Sequence, residues 1–283
     1  MLPPAFDLRA RIAIAISDVL AAHGIHENIT WEDIAVTPKV VTDGVGSMQK
    51  ISSAIIGKLW PSVRQAQVYH YTSEKAAEEI LSSQRFRLAN IGKRITEGEI
   101  ETFCVSHGLT GYLEATNGAP LYRTLIEPNT YFACFTDINV DEDEERSFWQ
   151  SFGPVRLRFT ISAQNPDFRR VYYEPVPQEP IPVLRDLVAR VRNDFEREFI
   201  LRRLSSICSF YLSGARFAWE KETRILWRVW DGSPCRPVGT GPNSYVELEL
   251  GSMSPCGFEL SIVEVCSADP VAVPDGVKFV RRK

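Results

Sequence analysis

The chain has 283 residues, 44% of them hydrophobic and 24% charged, with a formal net charge of −4. That length buries a core without metal or disulfide staples, and the composition excludes wholesale disorder and fibrous repeats. The small negative charge gives no global attraction to a polyanion, leaving only a local patch of Arg185, Arg190, Arg192, Arg197, Arg202 and Arg203 for a nucleic-acid contact.

Residues 7–23 carry apolar side chains at helical spacing and stop at Gly24. Asp7, Arg9, Arg11 and Asp18 interrupt the run, which is too short and too charged to span a membrane and lacks the layout of a secretion signal. No other segment approaches the roughly 20 apolar residues of a membrane span, so the expectation is a soluble, cytoplasmic protein without a membrane partner. Thr30 with Asp33 starts a short helix, and residues 47–60 give another, ended by Pro61. The first 62 residues therefore read as a helical cap, and 63–283 as a separate α+β domain.

At "AQVYHYT" (66–72) β-branched and aromatic residues replace the helical spacing. Ser73 then caps a helix of strong helix formers, followed by a short "FRL" strand. Residues 90–128 read as a long loop with one helix around 106–116. "TYFACFTD" (130–137) is a strand by composition, and "DEDEERSFWQSFG" is a helix whose acidic start suits its N-terminus. On that helix Trp149 and Phe152 form an apolar stripe. "VRLRFTI" (155–161) alternates at period two, "RRVYYEPV" adds a strand, and "EPVPQEPIP" connects to the longest helix, 183–212. Strands near 217–228, 245–250 and 258–265 complete the β-rich core. Six cysteines without a C-x-x-C pair read as small apolar residues of a reducing compartment, with a Cys235–Cys256 bridge left open. No metal-ligand spacing is present.

The stretch that demands explanation is "RFAWEKETRILW" (216–227). On a strand, residues two apart share a face, so Glu220, Glu222 and Arg224 stand together with the carboxylates about 7 Å apart. Either this is a solvated face on which Arg224 pairs one glutamate, or the two carboxylates are held for chemistry. Two other pieces bear on the choice. His70, Tyr71 and Thr72 end a strand just before a helix, where side chains and backbone N–H groups meet ligands. Tyr131 and Thr136 bracket another strand, with Tyr131 offering a flat ring.

Those pieces in that order resemble the ADP-ribosyltransferase fold. "VYHYTSEKAAEEILSSQRFRLAN", "YFACFTD…SFWQSFG" and "WEKETRIL" look like the DUF2971 family of bacterial proteins; the first segment also resembles DarT-type DNA-modifying transferases, and "TYFA" is similar to the Tyr-bearing strand of poly(ADP-ribose) polymerases. Coverage runs from about residue 66 to 230. Where the family shows an Asn-Asp-Pro-like turn, this chain has "ANIGKRITEGEIE". The resemblance implies an α+β, split β-sheet core that uses NAD as substrate. His70 would bond the adenosine-side ribose, and the backbone around Tyr71 would grip the nicotinamide amide. Thr72, Thr136 and Trp149 would also line the NAD site, and Tyr131 would stack on the nicotinamide ring. Glu222 would bind the ribose 2′-hydroxyl and stabilise positive charge, with Glu220 orienting or deprotonating the attacking group. The implied activity is mono-ADP-ribosyl transfer by a bacterial toxin or phage-defence effector to a protein or nucleic-acid acceptor, with a neutralising protein partner. The alternatives are an NAD glycohydrolase and a non-catalytic binding module on the same fold.

Overall fold

The computed structural model describes residues 4–44, 49–94, 99–116, 118–173, 180–203, 206–207, 211–212 and 215–282. Its longer helices are α1 (Pro4–Ala22), α2 (Lys50–Leu59), α3 (Glu74–Ser83), α4 (Glu142–Phe152) and α5 (Pro182–Phe195). The chain divides into two compact units, residues 1–61 with 95–128 and 174–214, and residues 62–94 with 129–173 and 215–283. The expected partition at residue 62 is drawn differently here, because 95–128 and 174–214 group with the N-terminal segment.

In the first unit α1 packs along α5, each contributing an apolar face that includes Ile12, Ile16 and Leu20 on α1 and Leu187, Val188 and Val191 on α5. The cap is not purely helical. Ile34–Val36, Val40–Asp43 and Glu198–Ile200 form a three-stranded sheet. Asp43, fully buried, accepts the backbone N–H groups of Ile51 and Ser52 at 3.3 and 3.0 Å and so satisfies the orphan donors of α2. The helix expected around 106–116 lies earlier, at Glu99–Ser106. The helix expected to reach 212 stops at Phe195, where Glu196 turns left-handed (φ 55°) and its N–H closes on the Arg192 carbonyl; Glu198 then pairs with Val40. Tertiary pairing overrides helix propensity there.

The second unit is built on one nine-stranded sheet. Its strands are β1 (Gln65–Thr72), β2 (Arg85–Asn90), β3 (Thr130–Asp137), β4 (Val155–Ala163), β5 (Phe168–Arg170), β6 (Glu222–Arg228), β7 (Tyr245–Glu249), β8 (Phe258–Ser267) and β9 (Lys278–Arg281). The order is β7-β2-β3-β1-β4-β8-β9, with β6 beside β3 and β5 beside β6. All pairs are antiparallel except β8 with β9. This is a mixed α+β protein with a large mixed sheet. β4 alternates buried and half-buried along its length, as its period-two sequence requires. Phe86, Phe135, Phe159, Phe168 and Phe258 fill the main core on one face. Ser73 caps α3 by accepting from Ala76 N–H at 3.2 Å, and Asp141 with Glu144 forms a reciprocal capping box on α4.

Two apolar expectations change. On α4 the buried pair is Phe148 and Trp149, while Phe152 is 48% exposed, so the inward stripe is shifted by one residue from the expected one. Cys235 and Cys256 are bonded to each other at 2.12 Å rather than free. Among the described residues no helix is long and apolar enough to cross a membrane.

Candidate active site

β3 is where the sheet divides. One edge runs beside β6 from Thr130 to Thr136. The other edge is shared: β1 pairs at Val68↔Asp137 and Tyr69↔Thr136, whereas β2 pairs at Ala89↔Phe132 and Asn90↔Tyr131. The last residues of β1 leave β3, and the His70 ring bridges the gap with Nδ1 3.0 Å from the Cys134 carbonyl. A carbonyl only accepts, so Nδ1 donates to it. The opening is a groove of about 660 Å³ between α3, which contributes Glu79 and Ser83, and the sheet, which contributes His70 of β1, Phe86 of β2, and Phe132 and Cys134 of β3. That volume is in the range of small-molecule and cofactor sites.

Register decides which side chains share a face, because direct antiparallel partners project to the same side. Glu222↔Thr136, Thr136↔Tyr69 and Tyr69↔Arg158 form one row across four strands. At about 4.8 Å per strand, Tyr69 and Glu222 stand about 10 Å apart along it. Phe132, Cys134 and Arg224 belong to the same face, and the Arg224 guanidinium lies 5.4 Å from the Phe132 ring centroid. Phe132 of the groove wall thus meets Arg224, while Glu220, Glu222 and Arg224 are not among the residues that line the groove. His70, the neighbour of Tyr69, projects to the other face, against Phe86 (5.1 Å between centroids) and Phe135 (5.7 Å).

Glu220 and Glu222 do not share a strand as their spacing suggested. Ala215–Glu220 form a 3-10 helix, Lys221 is left-handed (φ 45°), and β6 begins at Glu222. Left-handed backbone is unfavourable for a residue with a Cβ. It is held by Lys221 N–H to the Ala218 carbonyl (3.2 Å), by Asp137 N–H to the Lys221 carbonyl (3.3 Å) and by the Thr136 hydroxyl donating to the Glu220 carbonyl. The carboxyl groups nevertheless stay close enough to interact electrostatically.

Their environments differ. Glu222 is 7% exposed, and Arg224 Nη2 donates to its Oε2 at 2.8 Å; its backbone N–H donates to the Tyr173 hydroxyl at 2.8 Å. Arg224 lies directly beside Arg169 of β5, which donates through Nε to Asp167 at 3.3 Å. Two buried guanidiniums side by side are tolerable because each has a carboxylate. The solvated face offered as the plain explanation of the pair is therefore absent, although its Arg–Glu pairing is present. Burial, reinforced by the Glu222 carboxylate and opposed by Arg224, lifts Glu220 to about 7. Burial likewise pushes the Tyr173 phenol up.

An aromatic cluster lies on the same face. Tyr71 stacks on Phe148 at 5.0 Å and meets Trp149 edge-on at 5.1 Å. Trp219, one residue before Glu220, packs on Phe148 at 4.8 Å. Trp149 is 8% exposed, with Arg282 over its ring at 4.5 Å, so it walls the cluster rather than presenting an open platform.

Tyr131 does not join the site. It is 1% exposed within the main core, its hydroxyl is 3.0 Å from Ser244 Oγ, and it pairs with Trp227 rather than Glu222. Five residues of β3 separate it from Thr136, about 17 Å. The stacking role expected for it has no open ring face. Thr136 is engaged in holding the Lys221 turn. Residues missed by the sequence reading are Trp219, Tyr173, Arg169 and Tyr69. Only Tyr69, two residues before Tyr71 on a recognised strand, left a signal of spacing.

The arginine patch considered for nucleic acid is internally compensated at three positions: Arg185 with Asp186 (2.8 Å), Arg190 with Asp194 (3.1 Å) and Arg192 with Glu198 (2.8 Å). Among the described residues no group of three or more His, Cys, Asp or Glu side chains could hold a metal ion. Comparisons with protein-family models, curated proteins and solved structures gave no match.

Proposed function

We propose that this chain is an NAD-dependent mono-ADP-ribosyltransferase with an ADP-ribosyltransferase-like split sheet, acting as a bacterial effector on a protein or nucleic-acid acceptor. The observation that carries this reading is the pair of neighbouring carboxyl groups in different surroundings. Glu222 is buried and ion-paired with Arg224, whereas burial pushes Glu220 up to about 7. A buried ion pair adds little net stability, so chemistry is the better account of why the chain keeps one here. The adjoining groove supports the reading by its size and by its mixture of aromatic and polar lining.

In the reaction, the bond between ribose C1′ and the nicotinamide nitrogen breaks, its electron pair leaves with nicotinamide, and positive charge develops on the ribose. Glu222 Oε2 is taken by Arg224; the remaining carboxylate oxygen accepts the ribose 2′-hydroxyl and stabilises that charge where water is excluded. The acceptor then supplies an electron pair to C1′, and Glu220, once deprotonated, takes its proton. His70, on the groove wall, meets the adenosine-side ribose. Trp219 replaces Tyr131 as the aromatic beside the reacting centre.

The test is to incubate the protein and Glu222→Gln with labelled NAD and cell extract. Expected are nicotinamide release and a labelled acceptor with the native chain, and a loss of about 100-fold or more in the variant. Nicotinamide release without a labelled acceptor would identify an NAD glycohydrolase. No release, no label and no thermal shift with NAD would leave a binding module and end the proposal.

A further inference from the structure

We propose that Lys221 is a positioning residue: its ammonium group, anchored on the segment that opens α4, offsets the strain of its own left-handed backbone and thereby keeps the Glu220 carboxyl against Glu222. The proposal rests on the transferase reading for its catalytic meaning, while its structural content stands on geometry alone.

The observations are these. Of the three described non-glycine residues with positive φ, Gln84 and Glu196 are helix C-caps, where that conformation is ordinary. Lys221 takes the corresponding place at the end of a 3-10 helix, its N–H closing on the Ala218 carbonyl at 3.2 Å; what sets it apart is the acidic residue on either side and the tether on its own side chain. Unusual backbone of this kind persists only where its surroundings over-determine it. Its Nζ donates to the Asn139 carbonyl at 3.1 Å and to Glu144 Oε2 at 2.7 Å. Glu144 is itself fixed, because the same Oε2 accepts the Asp141 N–H in the α4 capping box at 3.0 Å. The tether thus runs from a locked helix terminus to the turn. Without the turn, residues 220–222 would extend β6, and the two carboxylates would stand about 7 Å apart along it. With it, the Glu220 carbonyl is drawn to the Thr136 hydroxyl and the side chain is partly buried beside Glu222.

The turn therefore governs the acid–base character of the site. The charged and titratable groups that act on Glu220 are Glu222 and Arg224 of β6 and the Tyr173 phenol; Arg169 of β5 pairs beside Arg224, and Asp137 of β3 and Glu144 of α4 bond the neighbouring Lys221. Burial is the largest cause of the upward shift of Glu220 to about 7, followed by the Glu222 carboxylate, with Arg224 opposing both. Both depend on the turn.

The experiment titrates Glu220 by carboxyl carbon NMR, assigned with Glu220→Gln, in the native chain, Lys221→Met, Lys221→Gly and Lys221→Arg. Lys221→Met keeps the stem and loses the tether, so the Glu220 midpoint is expected to fall by about one unit or more. Lys221→Gly adopts positive φ without strain and is expected to stay near the native midpoint; Lys221→Arg, still able to reach Glu144, is expected to stay there as well. An unchanged midpoint in Lys221→Met, a fall in Lys221→Gly, or no Glu220 titration near 7 in the native chain overturns the proposal. If Lys221→Met does not fold, Lys221→Gly decides alone by the same criterion. Absence of NAD turnover in the native chain would remove the transferase reading and leave the titration result standing.

Discussion

Glu220 links site chemistry to stability. Its pKa is raised from 4.5 to about 7 in the folded chain. Between those values the unfolded chain has released the proton and the folded chain keeps it, so this residue lowers stability as pH rises through the window and costs a constant amount above it. Glu220→Gln should melt like the native chain below 4.5 and gain on it progressively up to 7, as followed by melting temperature against pH; parallel curves would contradict the burial argument. In the transferase reading native turnover rises through the same window, because the base must be unprotonated. Tyr131 makes the opposite point at the same scale. Tyr131→Phe removes the bond to Ser244, so about 1 kcal/mol of stability should be lost in denaturant titration while, in the transferase reading, NAD affinity stays unchanged.

The elements meet where α4 returns to the sheet. Gly153 ends that helix at φ 131°, and a Cβ there would lie 2.4 Å from the Thr72 carbonyl oxygen. Both the backbone conformation and the space demand glycine. Gly153→Ala should cost about 2 kcal/mol or more, measured by denaturant midpoint, because either α4 or the end of β1 must move. The end of β1 is also one wall of the groove, so in the transferase reading weakened NAD binding should accompany the loss. α4 thus does two jobs for the site: its last turn locks β1, and its first turn, through Glu144, holds Lys221.

At the scale of the whole molecule, the long sheet of the second unit joins strands distant in sequence, and the Cys235–Cys256 bridge closes a loop with a separation of 21 residues. A loop of that size corresponds to about 3 kcal/mol of restricted unfolded-chain freedom. Replacing both cysteines by serine should lower stability by roughly that amount in denaturant titration. Alkylation of the denatured chain without reductant should leave both unlabelled; labelling of both would refute the bridge.

Local pattern was enough for much of this architecture. The strand of residues 130–137, the period-two strand from Val155, the Ser73 cap, the acidic start of α4 and the helix that ends before Gly24 are all readable from propensity, alternation and capping chemistry, because each depends on residues within one or two turns. The same logic brought Glu220 and Glu222 forward as a carboxylate pair on a strand-like stretch, and His70 and Thr72 as polar residues at a strand end. What required the tertiary structure was everything set by register and by departures from regular backbone. The strand partner of Tyr131 placed it in the core, the gap between β1 and β2 along β3 created the groove, and the left-handed Lys221 took Glu220 off the strand. Tyr173 and Arg169 entered the site through chain segments whose pairing no local pattern encodes. Side-chain identity and short-range spacing determine what a residue is able to do, but proximity and burial, which set its pKa and its partners, arise only when strands distant in sequence are paired.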